Sequence, residues 1–263
     1  MTHILIVMRI HFYGCSFTKG GGLHGKNYHK FYERNWYPEV WKLRGKEFIE
    51  SDKHFFYDYG NHYSYPTVVG NKTGVEISNY SLLGNNNDHI YNTIYTNSLL
   101  YPNDIHIVQW TLLHRRNIYN KSTKKVYRCQ GHPDHIQIFN LHEEDTFLTI
   151  DDNLISLETY YRDYLINHYN EQLEKDNILR LSNLLYSMNN NIFFISYEEL
   201  DDVSSIDNFI LFDHMYLREY MTTNHLTIKD ETNGDVDDLH ISIKGHSIIS
   251  DYIIDSISPR IRG

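Results

Sequence analysis

Proline and cysteine are both scarce: five prolines and two cysteines in 263 residues. Two thiols, Cys15 and Cys129, build no disulfide framework, and nothing in their usage calls for an oxidising compartment. Basic residues are also in deficit, 24 Lys and Arg against 34 Asp and Glu, for a net charge of −10. That balance argues against a general nucleic-acid role, because phosphate binding needs clustered cations, although the run 121–128 is a local exception. Apolar runs are short as well. The first one, Ile4 to Met8, is too brief and lacks a basic lead, so no signal peptide is expected; no stretch approaches a membrane span, and synthesis in the cytoplasm is the expectation. Neither internal repeats nor low-complexity linkers interrupt the chain.

What is present is enough apolar character, 41%, to bury a full core. The length fits one α/β domain over 1–263. Tyrosine is abundant, at 23 residues; a coding bias accounts for this more simply than recognition does, although tyrosine-rich surfaces suit sugars. The chain is organised around 9–22, RIHFYGCSFTKGGG. Branched and aromatic residues ending at Gly14 predict a buried parallel strand, and Gly14 and Gly20 bracket a tight turn. Ser16 then sits just past the carboxyl end of a strand, near a helix start, where open α/β sheets place ligands and free backbone N–H groups stabilise anions. Taken alone, such a serine is more often a helix cap than a nucleophile.

The other end of the chain changes that balance. The stretch 234–246, GDVDDLHISIKGH, carries Asp237 and His240 three residues apart, so that a carboxylate can orient an imidazole whose far nitrogen faces a proton donor. Asp235 and Asp238 crowd the same loop, but a residue three before the histidine returns to its side of a turn. An amphipathic run follows, with Ile249, Ile253 and Ile257 at helical spacing.

GCSFTKG and DDLHISIKGH together resemble the first and last blocks of the SGNH (GDSL-like) hydrolases, and SNYSLLGNNNDHI resembles the second. The variant GCSFT is similar to a branch met in phages and large DNA viruses. The resemblance implies a three-layer α/β/α sandwich around a mainly parallel, flavodoxin-like sheet of about five strands. It also implies a Ser16–His240–Asp237 triad, with the backbone N–H groups of Ser16 and Gly84 in the oxyanion hole. Where the family has G-x-N-D, this chain reads IVQWTLLHR over 107–115. Asn86, Gln109 and Thr111 are therefore candidate replacement donors, and Trp110 and Arg115 are candidate substrate contacts.

The remaining elements follow from periodicity. Strands are expected over 74–81, 104–111 and 191–197, helices over 88–100 and within 157–188, and weaker elements over 206–212 and 225–228. The aromatic-rich piece 26–43, interrupted by Pro38, is expected to pack on the sheet. The segment 112–154 shows no clear period and is too long for an ordinary connection, which marks it as a family-specific insertion, a solvated loop shaping the cleft. Its Cys129, His132 and His135 have a spacing that invites a metal, but among 17 histidines such a cluster arises by chance, and no cofactor is expected.

Three functions fit these features. The first is a serine esterase acting on small acyl groups, O-acetyl above all, carried by a carbohydrate. The second is a virion or surface-binding component that keeps the fold without efficient turnover. The third is an O-acyltransferase in which an acceptor hydroxyl replaces water. Beyond the ester substrate, association with a virion or with further copies of the chain is the partner expectation.

Overall fold

The computed structural model describes residues 8–20, 62–82, 85–113, 115–120, 125–130, 137–140, 168–231 and 239–262, with the backbone alone described over the strands within 116–140 and at 168–170. Strands β1 (Arg9–Tyr13), β2 (Glu76–Asn79) and β3 (Ile105–Trp110) share a parallel sheet with β7 (Ile192–Ser196), in the order β2-β1-β3-β7. Registers run Ile10 to Ile77, His11 to His106 and Val108 to Phe194. The four strands therefore end together at one carboxyl edge.

Alternation along the strands sorts side chains to two buried faces. On one face Ile10, Phe12, Ile105, Ile107, Phe193 and Ile195 meet helix α2 (Tyr65–Thr73) and helix α7 (Ile243–Ile261) through Val69, Ile249, Ile253 and Ile257. On the other face Tyr13, Val108, Trp110, Ile192 and Phe194 meet helix α3 (Asn87–Leu100) and helix α4 (His168–Met188) through Ile90, Ile94, Ile178 and Leu185. The result is three layers, α/β/α, as expected. Both faces are covered, which is why every residue of β3 and β7 is buried and β7 reads as a nearly continuous apolar run.

The parallel sheet has four strands among the described residues, where about five were expected of the whole chain, and beyond β7 a single parallel bridge joins Phe194 to Phe209. Past this bridge the chain turns at Asp213 and His214, both at positive φ, and bridges Phe212 to Met215. The segment 112–154, expected as a solvated loop, is corrected where it is described. It contains β4 (Arg116–Asn120), β5 (Lys125–Gln130) and β6 (Gln137–Asn140), an antiparallel meander in the order β4-β5-β6. Strands of four to six residues leave too few alternations to register as a period.

Helix α4 is described over His168–Met188, while 157–167 lie outside the described residues, as does the aromatic-rich piece 26–43. Among the described residues no helix is long and apolar enough to cross a membrane.

Near the amino ends of β1 and β3 lies a buried polar stack. His11 bonds Asp104 through Nε2 at 2.8 Å, and its ring lies 5.0 Å from that of His106. His106 donates from Nε2 to the Tyr101 carbonyl, which leaves Nδ1 to accept from the Tyr13 hydroxyl. Burial is the largest influence on His106. It outweighs the Tyr101 carbonyl and Asp104, and holds the imidazole down to about 4.

Because the unfolded chain binds this proton at about 6.5, the neutral native imidazole contributes stability that is full above that pH and lost as pH falls from about 6.5 toward 4. Denaturant unfolding at pH 7.5 and pH 5 is expected to show lower stability in acid, and His106→Gln to reduce that difference. An unchanged slope in the variant would assign the acid sensitivity elsewhere.

Candidate active site

Ser16 opens the four-residue helix α1 (Ser16–Lys19), three residues after β1 ends. Cys15 is its N-cap in extended conformation and makes no side-chain cap bond; Gly20 closes the helix at φ 81°. The reversal from strand to helix is that tight because of what lies behind it. A methyl group on Gly14 would stand 1.9 Å from Thr18 Oγ1 and 3.3 Å from Gln109 Cβ.

In the space that glycine leaves, Thr18 donates to Gln109 Oε1 at 2.6 Å, and the Tyr65 hydroxyl donates to Thr18 Oγ1 at 2.8 Å with Gln109 Oε1 at 3.2 Å. The Gln109 amide faces Cys15 Sγ at 3.6 Å and the Trp110 carbonyl at 3.4 Å. Cys15 is fully buried in this layer. Tyr65 is tied further by its backbone N–H to His246 Nδ1 at 3.1 Å. Burial, then the neighbouring His240, pushes the His246 imidazole down to about 3, so it stays a neutral acceptor.

His240 arrives from the far end of the chain, and its Nε2 lies 3.0 Å from Ser16 Oγ. Its backbone is fixed on both sides: the His240 carbonyl accepts from Ile228 N–H at 2.9 Å, Thr227 and Ile241 form an isolated bridge, and Ser242 N–H donates to the Leu226 carbonyl. Ser242 then caps α7 through Gly245 N–H. A side chain at Gly245 would meet the Leu226 carbonyl at 2.7 Å and Ile241 at 2.8 Å, so glycine there lets α7 start against this tether. The His240 ring packs at 5.0 Å on Phe17, which stacks at 4.3 Å on Tyr197.

A second polar layer lies at the same edge, after β2 and β3. The Gly14 carbonyl accepts from Leu82 N–H and from Asn85 Nδ2. Asn85 Oδ1 accepts from Asn86 N–H, and Asn86 Oδ1 caps α3 by accepting from His89 N–H. Asn87 Oδ1 accepts from Thr111 N–H at 2.8 Å. Arg115 is 7% exposed and donates through Nη1 to Thr111 Oγ1 at 2.9 Å and to the Asn85 carbonyl at 3.3 Å.

Of the residues singled out from sequence, Ser16 and His240 are thus in hydrogen-bond contact, and Asn86, Thr111 and Arg115 share the adjoining layer. Gln109 is at the same edge, but its amide is committed beneath the turn. Trp110 is a correction: it has no exposed surface, donates from Nε1 to Ser182 and stacks on Phe194, so it is core on the α3–α4 face and no substrate contact. Alternation explains this, since Trp110 points opposite to Gln109. Asp237, Gly84, His132 and His135 lie outside the described residues, and Cys129 is described only as backbone in β5. Among the described residues no group of His, Cys, Asp or Glu could hold a metal.

Thr18, Tyr65, Asn87 and His246 were not singled out by sequence as parts of a site. Tyr65 carried no signal, and Asn87 was hidden in a run of three asparagines. His246 stands in the stretch 234–246, whose pattern assigns it no role.

No family model matches the sequence, and no curated protein matches it. Several solved structures are similar in chain course. An acetyl xylan esterase from the rumen bacterium Butyrivibrio proteoclasticus is 12% identical, with 97% of this chain and 64% of that one covered and a TM-score of 0.42. A protein of the G-D-S-L family from Desulfitobacterium hafniense is 12% identical over 95% of this chain and 99% of its own, with a TM-score of 0.38. A carbohydrate esterase family 2 enzyme with a carbohydrate-binding domain, from Corynascus thermopiles, is 12% identical over 97% and 67%, with a TM-score of 0.38. This chain spans under two thirds of the length of the first of these. What the site can do rests on its own atoms.

Gly14→Ala is expected to force Thr18 and Gln109 apart, lowering stability by about 1–3 kcal/mol and displacing Ser16. Gly74→Ala, at φ 71° but with open space around the missing methyl, is the control for a local strain remote from Ser16. Thermal melts, together with labelling of Ser16 by a fluorophosphonate, would check both; equal labelling in the two variants would mean the buried layer does not position the serine.

Proposed function

We propose that this protein is a serine esterase that removes small acyl groups, O-acetyl in particular, from a carbohydrate or similar polar alcohol. The observation that carries the reading is the 3.0 Å approach of His240 Nε2 to Ser16 Oγ, made between residues 224 positions apart on a turn that a buried polar layer holds in place. A serine hydroxyl within hydrogen-bond reach of an imidazole is the arrangement that general-base activation requires.

In the proposed reaction His240 takes the Ser16 proton as Oγ attacks the ester carbonyl carbon. The tetrahedral oxyanion is held by backbone N–H groups, that of Ser16 in the first turn of α1, where no intrahelical acceptor exists, and that of Gly84. His240 returns the proton to the departing alkoxide as the carbon–oxygen bond breaks. Water, deprotonated by the same imidazole, then attacks the acyl-serine and releases the acid, with Asp237 orienting His240 throughout.

Incubation with a fluorophosphonate should label the wild-type protein at Ser16, and Ser16→Ala and His240→Ala should each lower cleavage of p-nitrophenyl acetate by roughly 10⁴ or more. Asp237→Asn should fall by orders of magnitude and Asp238→Asn far less. Thiol reagents that stop cleavage while Ser16→Ala stays active would transfer the nucleophile to Cys15 and sink the assignment.

The meander β4–β6 leaves directly from the carboxyl end of β3, the end at which Thr111 and Arg115 stand. Segments at that edge carry specificity in sheets of this kind, and this one is proposed to form the wall against which the sugar lies. Replacing 116–140 by a short turn should preserve cleavage of p-nitrophenyl acetate and lose that of acetylated oligosaccharides. Unchanged discrimination between the two would remove the wall from the account.

A further inference from the structure

A tetrahedral oxyanion held by backbone N–H groups alone lacks the side-chain amide that an asparagine after β3 would supply, and this chain has Gln109, Trp110 and Thr111 there instead. The candidate amides at the carboxyl edge can be taken one by one. Gln109 Nε2 faces Cys15 Sγ and the Trp110 carbonyl beneath the turn. Asn85 Nδ2 donates to the Gly14 carbonyl. Asn87 Nδ2 is shared between the Thr111 carbonyl at 3.5 Å and Glu174 Oε1 at 3.4 Å.

Asn86 differs from all three. Its residue is 1% exposed, its Oδ1 is fixed by the His89 N–H, and its Nδ2 is buried with no hydrogen-bond partner among the described residues. An unmatched buried amide donor is costly to a fold. The cap decides which end of the carboxamide faces the helix, so the amide nitrogen is the end left for something else.

Two further features at the same place favour negative charge. Asn86 is the N-cap of the fourteen-residue helix α3, whose amino end carries partial positive charge. The Arg115 guanidinium is held on the carbonyl of the preceding residue, Asn85. Asn85 also links Asn86 to the Gly14 carbonyl, two residues before Ser16, so this layer is joined to the nucleophile turn by one side chain.

We propose that Asn86 is a catalytic residue that donates its Nδ2–H to the oxyanion, in place of an asparagine following β3. The inference rests on the esterase reading and adds to it the origin of the side-chain donor. In the tetrahedral intermediate the carbonyl oxygen gains the charge, the Asn86 N–H shortens its bond to it, and no proton is transferred at Asn86.

The cap makes the donor separable from the fold. Asn86→Ser keeps an oxygen that accepts from His89 N–H and removes the amide donor. With p-nitrophenyl acetate as probe, Asn86→Ser is expected to melt within a few degrees of wild type. Its kcat should fall by roughly 10² to 10³ with KM nearly unchanged, whereas Asn86→Ala loses both cap and donor.

A folded Asn86→Ser with wild-type kcat overturns the inference alone. A wild-type protein that neither cleaves the ester nor takes the fluorophosphonate at Ser16 overturns the esterase reading and this inference with it. Should Asn86→Ser fail to fold, Asn86→Asp, a strong cap without an N–H, is judged by the same kcat criterion. Loss of folding in both variants would make Asn86 structural and overturn the proposal.

Discussion

The contact on which the rest of the site depends is the one between Thr18 and Gln109, at 2.6 Å, closed over Gly14. It forces the chain leaving β1 to reverse into α1 with no side chain between the two parallel strands, and it fills the gap with polar atoms that satisfy one another. Any methyl at Gly14 would collide with Thr18. Because Tyr65 joins the same pair of atoms and is itself held by His246, the turn is anchored from β3, α2 and α7 together. A buried network of this kind is favourable only while its members remain paired. That makes the position of Ser16 a property of three distant segments and not of the GCSFT sequence alone.

The second constraint acts on His240. Nothing local could hold a ring 224 residues from its partner, so the precision comes from packing. Ile249, Ile253 and Ile257 are fully buried and seat α7 on the sheet, and Gly245 allows its first turn to lie against Leu226 and Ile241. Burying each such isoleucine is worth about 1.5–3 kcal/mol. By contrast, the ion pair of Lys72 with Asp251 between α2 and α7 is exposed, and pairs of that kind contribute little. The imidazole is delivered to the serine by apolar burial, with hydrogen bonds fixing the last two residues of the approach.

Sequence made the outline legible where one physical signal dominated. The runs around Ile10, Ile107 and Phe193 read as buried strands because both faces of the sheet are covered. The Ile249, Ile253 and Ile257 spacing read as a helix because only one of its faces is. Ser16 and His240, which the structure brings into hydrogen-bond contact, each stand in a short local pattern that sequence displays directly. What escaped notice depends on contacts between segments far apart. Tyr65 enters the site through a hydroxyl whose partners are 47 and 44 positions away, and no local pattern encodes that. Trp110 falls on the core side although an aromatic at a strand end suits a ligand or a core equally well; its full burial, its stacking on Phe194 and its bond to Ser182 separate the two. The β4–β6 meander was missed because its strands are too short to show their alternation above the noise of a polar segment.

The fate of the histidines shows how far environment, and not residue type, assigns roles. His106 and His246 are both enclosed, and burial holds each in the neutral form at values near 4 and 3. A ring kept neutral in this way can offer one acceptor and one donor of fixed identity, which is what a structural link needs. His106 accepts from Tyr13 while donating to Tyr101, and His246 accepts from the backbone of Tyr65. A general base must instead be able to take up a proton and give it back, so it needs an environment that tolerates both states. His240 is partly buried, packed on Phe17 along one side and facing Ser16 Oγ at its edge. On the proposed esterase reading the base stands at the carboxyl edge with the neutral His246 in the layer that holds Tyr65, while His106 serves as a structural link near the amino ends of the strands. A substitution that opened the buried layer to water would therefore disturb Ser16 through its anchors before it touched the imidazole at all.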